Sequence, residues 1–225
     1  MFNFFRKNSF WLLPIVIILA FAPFSAEVDL GVSTYFYNPE SATFSNNAFY
    51  QFIFDYGQLP GFLACAVVAI LFLTSYKKAS LAPLRPYLFA FGLVAFLGPG
   101  LITNGILKPA WGRPRPRQVE ELGGETPFHS FYKPNFGYYV WDNFKSMPSG
   151  HAAMGFLFFS MAVSGHRMRN RKIMITGFLL AIVLGGILGL TRIAQGGHFL
   201  SDVLMAALIM WLLAVGVDAL VFRKS

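Results

Sequence analysis

Apolar residues fall along the chain in six long blocks separated by shorter polar stretches. The blocks run roughly from Phe10 to Ser25, Leu59 to Tyr76, Tyr87 to Leu107, Gly150 to Gly165, Ile173 to Leu190 and Phe199 to Phe222. Each is close to the length an α-helix needs to cross the hydrocarbon core of a bilayer, about 20 residues with a range of about 17–25. The pattern predicts an all-α polytopic helical bundle with six transmembrane helices. It also predicts one domain over 1–225, with 1–55 as an N-terminal span and outer interfacial segment and 56–225 as the core that carries the chemistry. Six spans place both termini on one side. Arg6 and Lys7 ahead of a short apolar run, with Phe24-Ser25-Ala26 after it, also fit a cleaved leader.

Two intervening segments are long. In 26–58, Phe44, Ala48, Phe49, Phe52, Ile53 and Tyr56 recur at roughly helical spacing, which predicts an amphipathic helix in the outer interface. Lys108 to Met147 is rich in Pro, Gly and charge, and a connection of about 40 residues is far beyond the usual length. Its aromatic residues (Trp111, Phe128, Phe131, Tyr132, Phe136, Tyr138, Tyr139 and Trp141) predict a cap lying on the membrane surface.

Composition sharpens this picture. The 225 residues are 56% hydrophobic and 12% charged, with a mean hydropathy of +0.55, against about 25% charged in an ordinary soluble domain. The single cysteine, Cys65, excludes an internal disulfide and a cysteine-based metal cluster. The net charge of +8 and pI of 9.7 are read as orientation signals, not as a nucleic-acid footprint, because the basic residues cluster at the ends of apolar blocks. The side with the termini would hold 11 basic residues (Arg6, Lys7, Lys77, Lys78, Arg85, Arg167, Arg169, Arg171, Lys172, Arg223, Lys224) and no acid in its loops. The other side would hold 7 (Lys108, Arg113, Arg115, Arg117, Lys133, Lys145, Arg192) and nearly all the acids. The bias predicts cytoplasmic termini.

Three polar clusters fall at the outer ends of spans. Lys108 and Arg113-Pro-Arg115-Pro116 follow the third. Pro148-Ser149-Gly150-His151 opens the fourth. There the free N–H groups of Ser149, Gly150 and His151 and the positive end of the helix dipole would suit phosphate. Thr191-Arg192 and His198 with Asp202 lie between the fifth and sixth. His198 and Asp202 are four apart and would share a helical face, where a carboxylate can fix an imidazole tautomer and raise its basicity. Asp202 sits inside an apolar block, where an ionisable group is costly and functional by default. Lys108, Arg115 and Arg192 would supply cations for phosphate oxygens. Arg113, Arg117, Lys133 and Lys145 are read as interfacial anchors, and His129 and His166 as loop residues. Three nearby cations disfavour a metal held by the two histidines and the aspartate, so no metal and no cofactor is expected.

These residues resemble the type 2 phosphatidic acid phosphatase (PAP2) superfamily. Its pattern is Lys-x6-Arg-Pro, then Pro-Ser-Gly-His, then Ser-Arg-x5-His-x3-Asp. Lys108 to Arg115-Pro116 and Pro148 to His151 match, and Thr191 replaces the serine ahead of Arg192, His198 and Asp202. The motifs are separated by 31 and 39 residues, and the resemblance covers roughly 55–225. It implies a metal-independent lipid phosphatase working through a phosphohistidine. In that scheme His198 is the nucleophile, Asp202 activates it, and His151 protonates the leaving oxygen. Lys108, Arg115, Arg192, the Ser149 hydroxyl and the Gly150 amide hold the phosphoryl group.

The implied substrate is a lipid phosphate reached from the outer leaflet of a bacterial inner membrane, with the site facing the periplasm. Candidates are lipid A phosphate, undecaprenyl diphosphate, phosphatidylglycerol phosphate and phosphatidic acid. Gly-Arg-Pro-Arg-Pro with the later Gly-Gly-Glu-Thr-Pro-Phe looks like proteobacterial members that include lipid A phosphatases. The expected partners are the lipid phosphate and membrane lipids, with no nucleic acid and the oligomeric state left open. Rival readings are a lipid phosphotransferase, a haloperoxidase-like relative, and a non-catalytic lipid-binding or transport protein.

Overall fold

The computed structural model describes residues 12–136 and 144–223. Expectations resting on Arg6, Lys7, Phe10, Tyr138, Tyr139, Trp141 and Lys224 lie outside the described residues. The first apolar block forms α1 (Leu13–Phe21), then a tight turn at Ala22–Phe24 containing Pro23, then α2 (Ser25–Phe36). The helical run therefore extends well past the expected end at Ser25. A two-residue hairpin follows, β1 (Tyr37–Asn38) pairing antiparallel with β2 (Thr43–Phe44).

Asn47 caps α3 (Ala48–Tyr56) by accepting the Tyr50 N–H at 3.0 Å, which satisfies a donor the helix start leaves orphaned. Phe49, Phe52 and Tyr56 face outward, but Ile53, grouped with them by spacing, is half-buried with Tyr50 and Phe54, and Phe44 lies in β2. One turn later α4 (Leu59–Thr74) continues the apolar run. It buries only Gly61, against Met154, and exposes Phe62, Leu63, Val67, Ile70 and Leu73. That outward apolar surface is what lipid tails would cover.

The third block is α5 (Arg85–Ala95), a wide π-helical segment over Phe96–Leu107, and α6 (Lys108–Trp111). Gly98, Pro99, Gly100 and Gly105 weaken a regular α-helix here, since Pro99 offers no N–H to the preceding turn. Such π segments recur at functional sites. This one ends on Lys108.

The fourth block is broken. It forms α7 (Gly150–Phe156) and α8 (Phe159–Arg167) about a turn at Leu157–Phe158, so His166 lies in a helix and not in a loop. α9 (Arg171–Ala194) and α10 (Leu200–Val221) complete the chain. The structure is nearly all helical, and five runs are long and apolar enough to cross a membrane: Leu13–Phe36, Ala48–Thr74, Ala79–Trp111, Arg171–Ala194 and Leu200–Val221.

α9 packs on α7 and α8 through small residues. A side chain on Gly155 would strike the backbone of Gly185, and one on Gly177 the backbone of Met161 and Ala162. Close backbone approach of this kind gives membrane helices their van der Waals contact where apolar burial drives little. The main core lies among α5, α7, α8 and α10, around Val94, Ala153, Leu157, Met210 and Trp211.

The long segment after α6 is anchored to the helix ends. Phe131 and Met147 pack on Ile18 of α1, and Val119 and Leu122 pack on Phe199. Trp111 donates from Nε1 to the Phe131 carbonyl at 2.8 Å.

At the opposite end of the bundle, Arg167 forks onto both carboxylate oxygens of Asp218 at 2.6 and 2.5 Å and lies over the Phe222 ring at 4.5 Å. Asp218 is 5% exposed, so removing its partner strands a buried charge. Arg167→Ala should therefore cost on the order of 2 kcal/mol, below the about 3–5 kcal/mol for a fully buried pair because the Arg167 side chain is 28% exposed. Thermal unfolding in detergent checks this. The loss should be smaller when Asp218→Asn is added, since no charge is then stranded.

Candidate active site

The three clusters meet at one end of the bundle. α9 ends in a turn where Gly196, at a φ of +62°, takes the left-handed conformation that favours glycine. The Gly197 and His198 amides both return to the Arg192 carbonyl, at 2.8 and 3.3 Å. This loop brings Arg192 and His198 side by side. Asp202 then stands in the first turn of α10, where its Oδ2 accepts the Phe199 N–H at 2.8 Å. Only Asp202 is helical: His198 precedes the extended N-cap Phe199 and lies outside α10, so the turn, and not a shared helical face, brings the two together. His198 Nδ1 is 3.7 Å from Asp202 Oδ2, an ion-pair distance longer than a hydrogen bond.

The second cluster is bound to the third through the backbone, the Ser149 N–H donating to the Asp202 carbonyl at 3.2 Å. Ser149 is the N-cap of α7 and its Oγ accepts the Ala152 N–H at 3.4 Å. Pro148 thus precedes the cap and is not the first helical residue. The helix start is enclosed, with Ser149 and Gly150 buried and His151 half-buried. Asn104 of the π segment packs directly on Gly150, where a Cβ would meet its side chain, and its Oδ1 is 3.4 Å from Lys108 Nζ. Gly150 is therefore the contact that seats the first cluster against the second.

Lys108, Arg115 and Arg192 stand within electrostatic range of one another, the charge of Arg115 acting on both of the others. Converging cations repel, and an anion between them would relieve that repulsion. Arg192 donates from Nη1 to Gln195 Oε1 at 2.7 Å, and its buried Nε has no hydrogen-bond partner among the described residues.

Helix α3 contributes a residue that the pattern of the sequence did not mark. Phe54 stacks on His151 with ring centroids 4.9 Å apart and 17° between the planes, and its ring also lies 4.7 Å from the Arg192 guanidinium carbon. It thus touches an imidazole and a guanidinium from two different motifs.

Arg113 overturns its reading as an interfacial anchor. Its side chain is 1% exposed, and its Nη1 donates to Asp202 Oδ1 at 2.5 Å and to Ser201 Oγ at 2.7 Å. Nη2 donates to Asp29 Oδ2 at 2.8 Å, and Nε to the His129 carbonyl at 2.8 Å. Ser146 completes Asp202, donating from Oγ to Oδ2 at 2.5 Å. Asp29 went unmarked because the first helix was expected to end four residues before it. An acid inside a longer apolar helix is the signal that would have found it.

The profile of the PAP2 superfamily matches residues 83–225, which hold every motif residue named above. The chain belongs to the PAP2 superfamily. It is 33% identical over 193 residues to the lipid A 4'-phosphatase of Francisella tularensis subsp. novicida (strain U112), an overlap of 81% of this chain and 84% of that one. No solved structure matches it. The protein is thus a PAP2-type phosphatase, a membrane hydrolase of lipid metabolism. Within this PAP2 protein, Asp29, Asn46 and Phe54 come from outside the matched span, yet all touch the motif residues or their neighbours. Gln195, the partner of Arg192, itself donates to Asn46 Oδ1 at 3.2 Å.

Two outcomes follow. An edge-on or stacked ring contact contributes about 0.5–1.5 kcal/mol, so Phe54→Ala should lower kcat about tenfold in phosphate-release assays, while Phe54→Trp should stay near the parent. The second concerns His198, which is 2% exposed. Burial pushes its pKa down to about 4, with Asp202 opposing and Lys108 and Arg192 adding to the depression. Below pH 6.5 the unfolded chain takes up a proton that the folded one refuses. Stability from this group is therefore complete above pH 6.5 and falls as pH drops toward 4, by up to about 3 kcal/mol. The melting temperature of His198→Asn should fall less than that of the parent across this window.

Proposed function

We propose that the protein removes a phosphate from a lipid at the outer leaflet of the inner membrane, through a phosphohistidine on His198 and without a metal, and that lipid A phosphate is the substrate. The observation that carries this reading is the meeting of three cations, a capped helix start and the buried His198–Asp202 couple at one end of the bundle. The name of the Francisella relative favours lipid A among the lipid phosphates. Orientation rests on the charge bias, with Arg85, Arg167, Arg169, Arg171, Lys172 and Arg223 at the end opposite the site. Six crossings follow if α7 and α8 act as one span. Their 18 residues from Gly150 to Arg167 reach roughly 27 Å at about 1.5 Å per residue, close to the hydrocarbon thickness of about 30 Å. The segment anchored by Phe131, Val119 and Leu122 would then lie over the outer surface as a cap, and 1–225 would act as one domain.

In this mechanism the phosphate oxygens sit among Lys108, Arg115 and Arg192, the Ser149 hydroxyl and the Gly150 amide. Nδ1 of His198 faces Asp202, so Nε2 supplies the lone pair. The Nε2–P bond forms as the bond from phosphorus to the lipid oxygen breaks, and His151 gives that oxygen a proton. Asp202 stabilises the positive imidazole that results. A water then attacks phosphorus and passes its proton to His151 as the N–P bond breaks. Phosphate leaves and both histidines return to their starting states. Splitting one hard displacement into two is the logic of nucleophilic catalysis, and positioned charge carries most of the rate in phosphoryl transfer.

Detergent-purified protein, assayed with EDTA present, should release phosphate from lipid A faster than from undecaprenyl diphosphate, phosphatidylglycerol phosphate or phosphatidic acid. His198→Ala and Asp202→Asn should lose nearly all of it. Normal turnover in His198→Ala would remove the phosphohistidine, and a faster lipid elsewhere in the panel would replace lipid A as the substrate.

A further inference from the structure

Among the described residues Asp202 is the only acid paired with His198, and Arg113 takes one of its two oxygens. The Arg113 guanidinium is 2.5 Å from Asp202 Oδ1. A carboxylate so paired has little net charge left with which to stabilise a positive imidazole. The structure also holds a second buried acid on the same fork. Asp29 of α2 is 0% exposed, receives Arg113 Nη2 on Oδ2 at 2.8 Å, and is fixed by Ser201 through both N–H (2.8 Å) and Oγ (2.5 Å). Ser201 is the immediate chain neighbour of Asp202. Its Oγ accepts from the same Arg113 nitrogen that binds Asp202.

We propose that Asp29 is a positioning residue of the active site: it neutralises Arg113, so that the Asp29–Arg113–Asp202 row carries one net negative charge, which Asp202 presents to His198. Arg113 lowers the cost of the Asp202 carboxylate in a water-poor interior, while the Ser146 hydroxyl and the Phe199 N–H hold its other oxygen without it. The charge of Arg113 would by itself cancel the effect of that carboxylate. Asp29 removes that conflict. The N-terminal helix is thereby part of the catalytic apparatus, although it lies before the span that the family profile matches. The proposal deepens the reading of His198 and Asp202 as the reacting couple and rests on it.

The charges make a signed prediction that separates this role from simple bracing. Asp29→Asn keeps the shape of the side chain and leaves Arg113 and Asp202 as a neutral pair, so the chain should fold. Its kcat should fall about 10- to 100-fold, the scale of one buried charge-assisted interaction, with KM changed less than about twofold. Arg113→Gln alone leaves two buried carboxylates facing each other and should be the least stable variant. Adding Arg113→Gln to Asp29→Asn restores the single negative charge, and kcat should rise at least about tenfold over Asp29→Asn. Asp29→Glu, which keeps the charge, should retain more turnover than Asp29→Asn.

The experiment uses the full chain in detergent, with lipid A as the probe lipid and thermal unfolding measured on each variant. Turnover of Asp29→Asn within about twofold of the parent overturns the proposal. So does a double variant no faster than Asp29→Asn, since bracing predicts that the second loss makes matters worse. If Asp29→Asn or the double variant yields no folded protein, the comparison of Asp29→Glu with the parent decides: retained turnover supports the charge role, and loss as complete as in His198→Ala overturns it. Acid-quenched phosphoenzyme in the parent, absent from His198→Ala, tests the underlying couple separately. Its failure would show in the parent and not in the Asp29 series.

Discussion

One arginine holds the active end of this protein together. The Arg113 fork joins Asp29 from the first helix, Ser201 and Asp202 from the last, and the His129 carbonyl from the long connecting segment. Each of these groups is costly to place in an apolar interior alone, and the arrangement is tolerable because nearly every donor and acceptor has a partner. Phe199 and Phe128 flank the guanidinium at 4.4 and 5.5 Å and keep the network dry. Three segments far apart in the chain are thus tied by a requirement that none can satisfy by itself. The position of Asp202, and through it of His198, follows from that requirement.

The remaining architecture serves to bring polar helix ends to one level. Small residues let α9 approach α7 and α8 closely, and this sets Arg192 beside the start of α7. The π segment carries Lys108 to the same level and places Asn104 against Gly150. At the far end, the Arg167–Asp218 pair with Phe222 closes the other polar boundary. Between these ends the helices expose aliphatic and aromatic side chains outward, with the ionisable groups of the described residues gathered toward the ends or paired.

Charge at the site is arranged in two layers. Lys108, Arg115 and Arg192 form one layer, and their mutual repulsion favours an anion among them. Behind His198 lie two carboxyl groups and the guanidinium that joins them. A phosphoryl group would therefore meet cations on its oxygens and a carboxylate-backed imidazole at phosphorus. The Phe54 ring touches both His151 and Arg192, which ties α3 to two of the motifs.

The sequence by itself determined the helical, membrane-type character of the chain, because apolar block length is a local property that the bilayer thickness converts into a fold. It also marked the motif residues, since Lys108 with Arg115, Ser149 to His151, and His198 with Asp202 sit at fixed short spacings, although Arg115 and His198 lie in turns beside the helices and not within them. Tertiary structure alone decided the rest. It decided that Arg113 is buried and not snorkelling, because its partners are 84 and 89 positions away. Asp29 became part of the site because α2 extends the first helix beyond its apolar block, and Phe54 because α3 turns one face inward. The break between α7 and α8 came from no local punctuation at Leu157–Phe158. Contacts between residues distant in sequence carry no period, and these were the contacts that made the site.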